Sequence, residues 1–216
     1  MERGIEMENK LSRFVKSCLC LVAMAILAGC IVQSLNKFYT NESKTPLPAI
    51  CGDWQPVEKN AKEAKDNEKD KLPPWKFTED NIATYDEDKV ASNIITVYFK
   101  VGENIFVDCS PRELDKEKNK CVNGYWLSCI RQVHTLCKVE LGGEELKLIP
   151  INPDKLAEMV ENKECELKSV EQAGSGSTND LLYVSGPAEW LKFLEKFGAD
   201  KELFKSNNAL VFKKLK

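Results

Sequence analysis

The sequence predicts a mainly β domain of the α+β class: an antiparallel sheet of about eight strands, curled or closed into a barrel, with two or three helices late in the chain. Three observations carry this. Short runs rich in β-branched and aromatic residues follow one another from Ile94 onward. Glycine- and asparagine-bearing turns separate several of them, which favours antiparallel neighbours. Helix-type spacing of apolar residues is confined to the last third of the chain.

The N-terminus comes first in the argument because it sets the address. Arg3, Lys10, Arg13 and Lys16 precede an apolar run from Cys18 to Ala28, which ends in Leu27-Ala28-Gly29-Cys30. A basic stretch, a short apolar core and small residues at a cut site make up a secretory signal. The last four residues resemble the lipobox of bacterial lipoproteins. That resemblance implies a diacylglyceryl group, with palmitate-type acyl chains, on the Cys30 sulfur and cleavage of the Gly29–Cys30 bond. It makes residues 1–29 a signal peptide and places the chain in the bacterial cell envelope. Ile31 after the lipidated cysteine points to the outer membrane in a Gram-negative cell. A start at Met7 would drop Glu2 and Glu6 and leave a more usual signal. The competing reading, an uncleaved spanning helix over Cys18–Val32, offers fewer apolar residues than the roughly 20 that a bilayer requires.

Without residues 1–29 the chain holds 27 basic and 31 acidic residues, a net charge of −4. That mild, mixed charge argues against nucleic acid as a partner and gives no polybasic membrane patch. Residues 30–50 read as the lipidated cysteine and a flexible tether, since Asn36 to Ala49 is rich in Asn, Ser, Thr and Pro. Residues 51–216 read as one domain, long enough for a real core. A charged insert at 58–71 has ten charged residues in fourteen and reads as solvated. Six cysteines remain beside Cys30: Cys51, Cys109, Cys121, Cys129, Cys137 and Cys165. An even number in an exported chain suggests structural disulfides, with the pairing open.

The strands are read in order. Ile94–Val101 and Ile105–Cys109 form a hairpin across Gly102-Glu103-Asn104. Tyr125–Ile130 and Val133–Leu141 follow, and Gly142-Gly143 turns the chain into Leu146–Ile151. Cys165–Val170 and Leu181–Val184 flank the loop Gly174-Ser175-Gly176-Ser177. Ala209–Leu215 closes the sheet. Asn152-Pro153 starts a short helix to about Val160, because Asn caps and Pro suits the first turn. Ala188–Phe197 is the stronger helix: Trp190, Leu191, Leu194 and Phe197 share a face, and Gly198 stops it.

Gly52-Asp53-Trp54 at the start of the domain is similar to the Gly-x-Trp of lipocalins, in which the tryptophan packs across the closed end of the barrel. Together with Val133-His134-Thr135 and Trp190-Leu191-Lys192-Phe193-Leu194, it resembles a group of exported bacterial proteins expected to form lipocalin-like barrels. The group has no settled activity, so the resemblance implies a fold and not a reaction.

The chemistry is sparse. His134 is the one histidine, so sites needing two histidine ligands are excluded. Cys137 lies three residues on and would face the other side of a strand, but Cys109 or Cys129 could approach His134 from a neighbouring strand. A thiol enzyme is therefore carried as an alternative. The favoured role for His134 is structural, with its ring hydrogen-bonded to a neighbouring loop. The 174–177 loop lacks the last glycine of a nucleophile elbow and the lysine of a phosphate loop. Asp86-Glu87-Asp88 lacks the ligand spacing of a calcium loop. The expectation is a non-enzymatic protein with no cofactor and no metal. Its partners are the membrane, through the lipid, and a small apolar ligand or an envelope protein. A structural lipoprotein without a pocket is the alternative.

Overall fold

The computed structural model describes residues 32–57, 72–87, 90–112, 132–171 and 181–215. Cys30, Cys121, Cys129, the 58–71 insert, the 125–130 run and the 174–177 loop lie outside the described residues. The strands are β1 (Gln33–Ser34), β2 (Gly52–Pro56), β3 (Trp75–Phe77), β4 (Ile82–Glu87), β5 (Val90–Val101) and β6 (Asn104–Pro111). They continue as β7 (His134–Gly142), β8 (Glu145–Pro150), β9 (Ser169–Glu171), β10 (Leu181–Tyr183) and β11 (Leu210–Lys214). The helices are α1 (Pro153–Glu161) and α2 (Pro187–Phe197).

Eight strands close a lipocalin-like barrel in the order β2-β3-β4-β5-β6-β7-β8-β11, with every neighbouring pair antiparallel. The long β5–β6 hairpin pairs from Ile94↔Pro111 to Val101↔Asn104. β11 is the last strand in sequence and joins β8 to β2, so the C-terminus seals the ring. β7 is longer than β8 needs. Where β8 ends at Pro150 opposite Cys137, β1 takes up the pairing with Gln33↔Thr135 and Ser34↔His134. β10 then pairs parallel to β1, and β9 antiparallel to β10, making a three-stranded wing on the barrel.

The period-2 alternation of the strands sorts side chains onto two faces, and both faces of the β5–β8 wall are covered. Tyr98, Val107, Val139, Leu146 and Leu148 point into the barrel, with Trp54, Phe77 and Phe212 from the other side of the ring. Phe99, Phe106, Leu136 and Ile149 point outward into a second core under Trp190, Phe193 and Leu194 of α2 and Leu156 and Met159 of α1. Phe38 meets Trp190 edge-on at 4.6 Å between ring centres. Asn152 caps α1 by accepting the Lys155 N–H. Glu189 reaches back to the Gly186 N–H at the start of α2. Gly198 ends α2 with φ −64°, in the right-handed region rather than the left-handed one. Its need for glycine is steric: an added Cβ would stand 2.9 Å from the Phe106 ring and closer still to the Leu194 carbonyl oxygen.

Three expectations are corrected. The segment read as a tether belongs to the fold. Val32, Phe38, Tyr39 and Ile50 are buried, with Phe38 at 0 % exposure. The chain from 43 to 45 hydrogen-bonds along the edge of β5, with Thr45 N–H donating to Tyr98 O and Lys100 N–H to Ser43 O. The set of strands also differs. β2, β3 and β4 complete the ring, whereas the run from Cys165 yields only the three residues of β9 and stands with β10 outside it. Finally, Cys51, Cys109, Cys137 and Cys165 are free thiols, so no disulfide joins the described cysteines.

Candidate functional site

His134 sits at the start of β7 on the outer face of the wall. Its Nδ1 is 2.7 Å from Oδ1 of Asp108, on the adjacent strand β6 rather than on a loop. Asp108 is 1 % exposed. A carboxylate only accepts, so Nδ1 carries the proton of this hydrogen bond. The second carboxylate oxygen accepts the Phe38 backbone N–H at 3.0 Å. Asp108 thus ties the imidazole and the N-terminal segment to one point. Around it Asn36 donates to the carbonyls of Val184 and Ser185, and Leu35 N–H to Tyr183 O. Burial, and then the Asp108 charge, raise the Tyr39 phenol above its ordinary value.

The cysteines face the other way. Register places Val107 opposite Cys137 and Cys109 opposite Thr135, so both thiols share the inner face and sit diagonally across the β6–β7 seam. Burial pushes the Cys137 thiol up to about 12. It raises Cys109 well above the usual thiol range, with Cys137 adding to the effect. A raised thiol is a poor nucleophile at neutral pH. His134 belongs to the opposite face, so Cys109 cannot serve as its partner in the thiol-enzyme alternative, and the other candidate, Cys129, lies outside the described residues.

A cleft of about 400 Å³ opens at the mouth of the barrel. It forms because β4 meets β5 only as far as Ile82↔Ile95, with one further bond from Thr96 N–H to Asn81 O. The 43–45 segment holds the edge beyond, beginning at Tyr98. The gap between that segment and the β3–β4 turn is the cleft. Leu47, Ile50 and Tyr98 line it, with Lys44, Glu79 and Asn81 contributing polar groups. Its wall is mainly apolar. Burial raises the Tyr98 phenol, whose hydroxyl has no hydrogen-bond partner among the described residues.

Gly52 and Trp54 follow Cys51, a lining residue of the cleft, along β2. Gly52 has φ +126°, a conformation that side chains beyond glycine rarely take. Trp54 is fully buried, its indole N–H donating to Ile50 O at 2.7 Å, and the Lys214 ammonium lies 5.3 Å from its ring centre. Trp54, Phe77, Leu146 and Phe212 pack together inside the barrel. Cys51 borders the cleft, and Cys165 packs at the edge of the outer core. Asp108 and the cleft residues escaped the sequence reading. The cleft depends on a segment taken for a tether, and Asp108 occupies a polar position inside an otherwise apolar strand.

No protein-family model matches the chain, and no curated protein or solved structure is similar enough to match it. The fold class therefore stands on its own topology: a closed antiparallel barrel of the lipocalin-like kind, with a wing and two helices added to one wall.

Proposed function

We propose that the protein is an exported lipoprotein, anchored through Cys30 after cleavage at Gly29, whose barrel is a non-enzymatic binding module for a small, mainly apolar molecule. The address rests on Leu27-Ala28-Gly29-Cys30 behind its basic and apolar flank. The observation that carries the binding half is the mouth cleft. Its volume is about that of a small-ligand site, its wall is apolar, and a few polar groups stand where they could fix orientation. The cell envelope is the proposed location, and the outer membrane in a Gram-negative cell.

A second reading is a module for an envelope protein. The cluster of Trp54, Phe77, Leu146 and Phe212 inside the ring favours it, because those side chains take up space that a deep calyx would use.

The test is mass spectrometry of the protein purified from its own envelope without reductant. The expected species is residues 30–216 plus acyl chains, releasing a small molecule on denaturation. Leu47→Trp, which narrows the cleft, should lose that molecule while keeping the lipid. An unlipidated chain with its N-terminus intact would overturn the anchor. A lipidated chain with nothing bound would overturn the small-ligand reading and leave the protein partner.

A further inference from the structure

We propose that the molecule taken by the mouth cleft is neutral and carries a secondary amide, as an N-acylated amine or amino-acid derivative does, and that the backbone edge of β5 at Thr96 and Tyr98 holds that amide. This rests on the small-ligand reading above and names the chemical class of the ligand.

The argument is an account of backbone hydrogen bonds along β5. The β5–β6 hairpin closes with Val101 opposite Asn104, so the odd-numbered residues of β5 turn their N–H and C=O groups toward β6. The even-numbered residues turn theirs to the other edge. There Thr96 N–H donates to Asn81 O at 2.7 Å, Thr45 N–H to Tyr98 O at 2.9 Å and Lys100 N–H to Ser43 O at 3.0 Å. Between these bonds, the Thr96 C=O and the Tyr98 N–H have no partner among the described residues.

Both neighbouring segments are kept from supplying one. On the β4 side Asn81 has φ +58°, and its N–H turns back to Thr78 O. On the other side Pro46 follows Thr45, and the chain leaves the edge for the turn at Pro48–Ile50, where Leu47 O accepts the Ile50 N–H. Had the pairing of Lys44 with Phe99 run on, Leu47 N–H would meet Thr96 O, and Thr45 O would meet the Tyr98 N–H. Thr96 and Tyr98 are 3 % and 5 % exposed, and buried backbone groups are almost always paired. Thr45, Asn81, Val97 and Tyr98 all line the cleft, so it opens on this stretch of edge.

One backbone donor and one backbone acceptor on the same edge call for a ligand that offers one of each. The carbonyl oxygen and the N–H of a secondary amide do so, while Leu47 and Ile50 receive the apolar remainder. The charged lining residues, Lys44 and Glu79, are opposite in sign and both exposed. The Lys44 ammonium lies 5.3 Å from the centre of the Tyr39 ring, in the outer core. A charged ligand therefore gains no buried counter-ion, and burying its charge would cost more than burying an amide.

The test uses the mature protein from its own envelope in phosphatidylcholine nanodiscs, with empty nanodiscs correcting for partition of the probes into lipid. The probes are N-naphthylacetamide, naphthyl acetate and propylnaphthalene, which are alike in shape. The amide should bind about tenfold more tightly than the ester, which lacks the N–H, and the ester more tightly than the hydrocarbon. Amide exchange read by nuclear magnetic resonance should be many-fold faster at Tyr98 than at Thr96 and Lys100 in the free protein. The amide and the ester should slow it, and the hydrocarbon should not. Equal affinity for the three probes, lost for all of them in Leu47→Trp, would overturn the amide class and leave the small-ligand reading intact. Binding of none of them would overturn both. A Tyr98 amide as slow as that of Thr96 in the free protein would mean a closed edge, and would overturn the proposal whatever the probes do.

Discussion

Asp108 joins two otherwise separate parts of the molecule, which end on its two carboxylate oxygens. One accepts from His134 and the other from the Phe38 amide. A buried carboxylate is costly unless its lone pairs are used, and here both oxygens are. Asp108→Ala leaves the imidazole and the amide without their acceptor, and should lower stability by about 2–4 kcal/mol. His134→Ala leaves one carboxylate oxygen unmet and should cost a similar amount. Urea denaturation of the two single variants and the double variant tests this. The double variant should cost less than the sum by about 1 kcal/mol or more, and strict additivity would dismiss the pairing. Half of this pair was legible. His134 drew attention as the one histidine, and a structural role followed from the want of a partner set. Asp108 did not, because a polar residue in a strand ordinarily marks the solvent side. That inference fails where both faces of a sheet are covered, as they are along β6.

At the scale of elements, strands with long alternating runs were readable and short or irregular pieces were not. β5 to β8 each have enough positions for period 2 to show, and their hairpin turns carry Gly102 and Gly143. β3 has only three residues; Trp75 and Phe77 face one way and Lys76 the other, too short a pattern to register. The first 19 described residues were misread for a different reason. Their apolar side chains Val32, Phe38, Tyr39, Leu47 and Ile50 follow no period, because only Gln33–Ser34 and a single turn of 3-10 helix at Pro48–Ile50 are regular. It gains its place from single contacts, such as the Phe38–Trp190 ring pair, and from the free edge of β5. A tether and a packed strap therefore look alike in composition and differ only in burial. Phe38→Ala separates them. In a tether the change would be worth less than about 0.5 kcal/mol, whereas loss of a fully buried ring should cost about 3–5 kcal/mol. A thermal or urea midpoint left unmoved by Phe38→Ala would restore the tether.

For the whole molecule, the expected number of strands hid a different assignment. Eight were foreseen and eight close the barrel, yet only five are common to both sets: β5, β6, β7, β8 and β11. Those five include the β5–β8 wall that the two cores share, one packed inside the ring and one beneath the helices. Unfolding of either core should then expose the other, and groups in both should act on one transition. Four of them are acids with the largest upward shifts. Burial raises Cys109 well above the usual range and Cys137 to about 12 on the inner side, with Tyr98 beside them. On the outer side it raises Tyr183. Each is an acid whose folded pKa exceeds its unfolded one, so the folded state holds the proton longer. The stability they contribute is fully present below the unfolded thiol pKa of about 8.5. It is lost as pH climbs from there through the folded values, at up to about 1.4 kcal/mol per pH unit for each thiol. The urea midpoint of the reduced protein should hold steady from pH 6 to 8 and fall steeply by pH 10.5, with near-ultraviolet and far-ultraviolet signals moving together. Cys137→Val should flatten that fall without removing it, since Cys109, Tyr98 and Tyr183 are among the raised groups that remain. A midpoint that stays level to pH 10.5 would mean that the thiols are open to water. Separate transitions for the two signals would mean that the wall does not couple the cores.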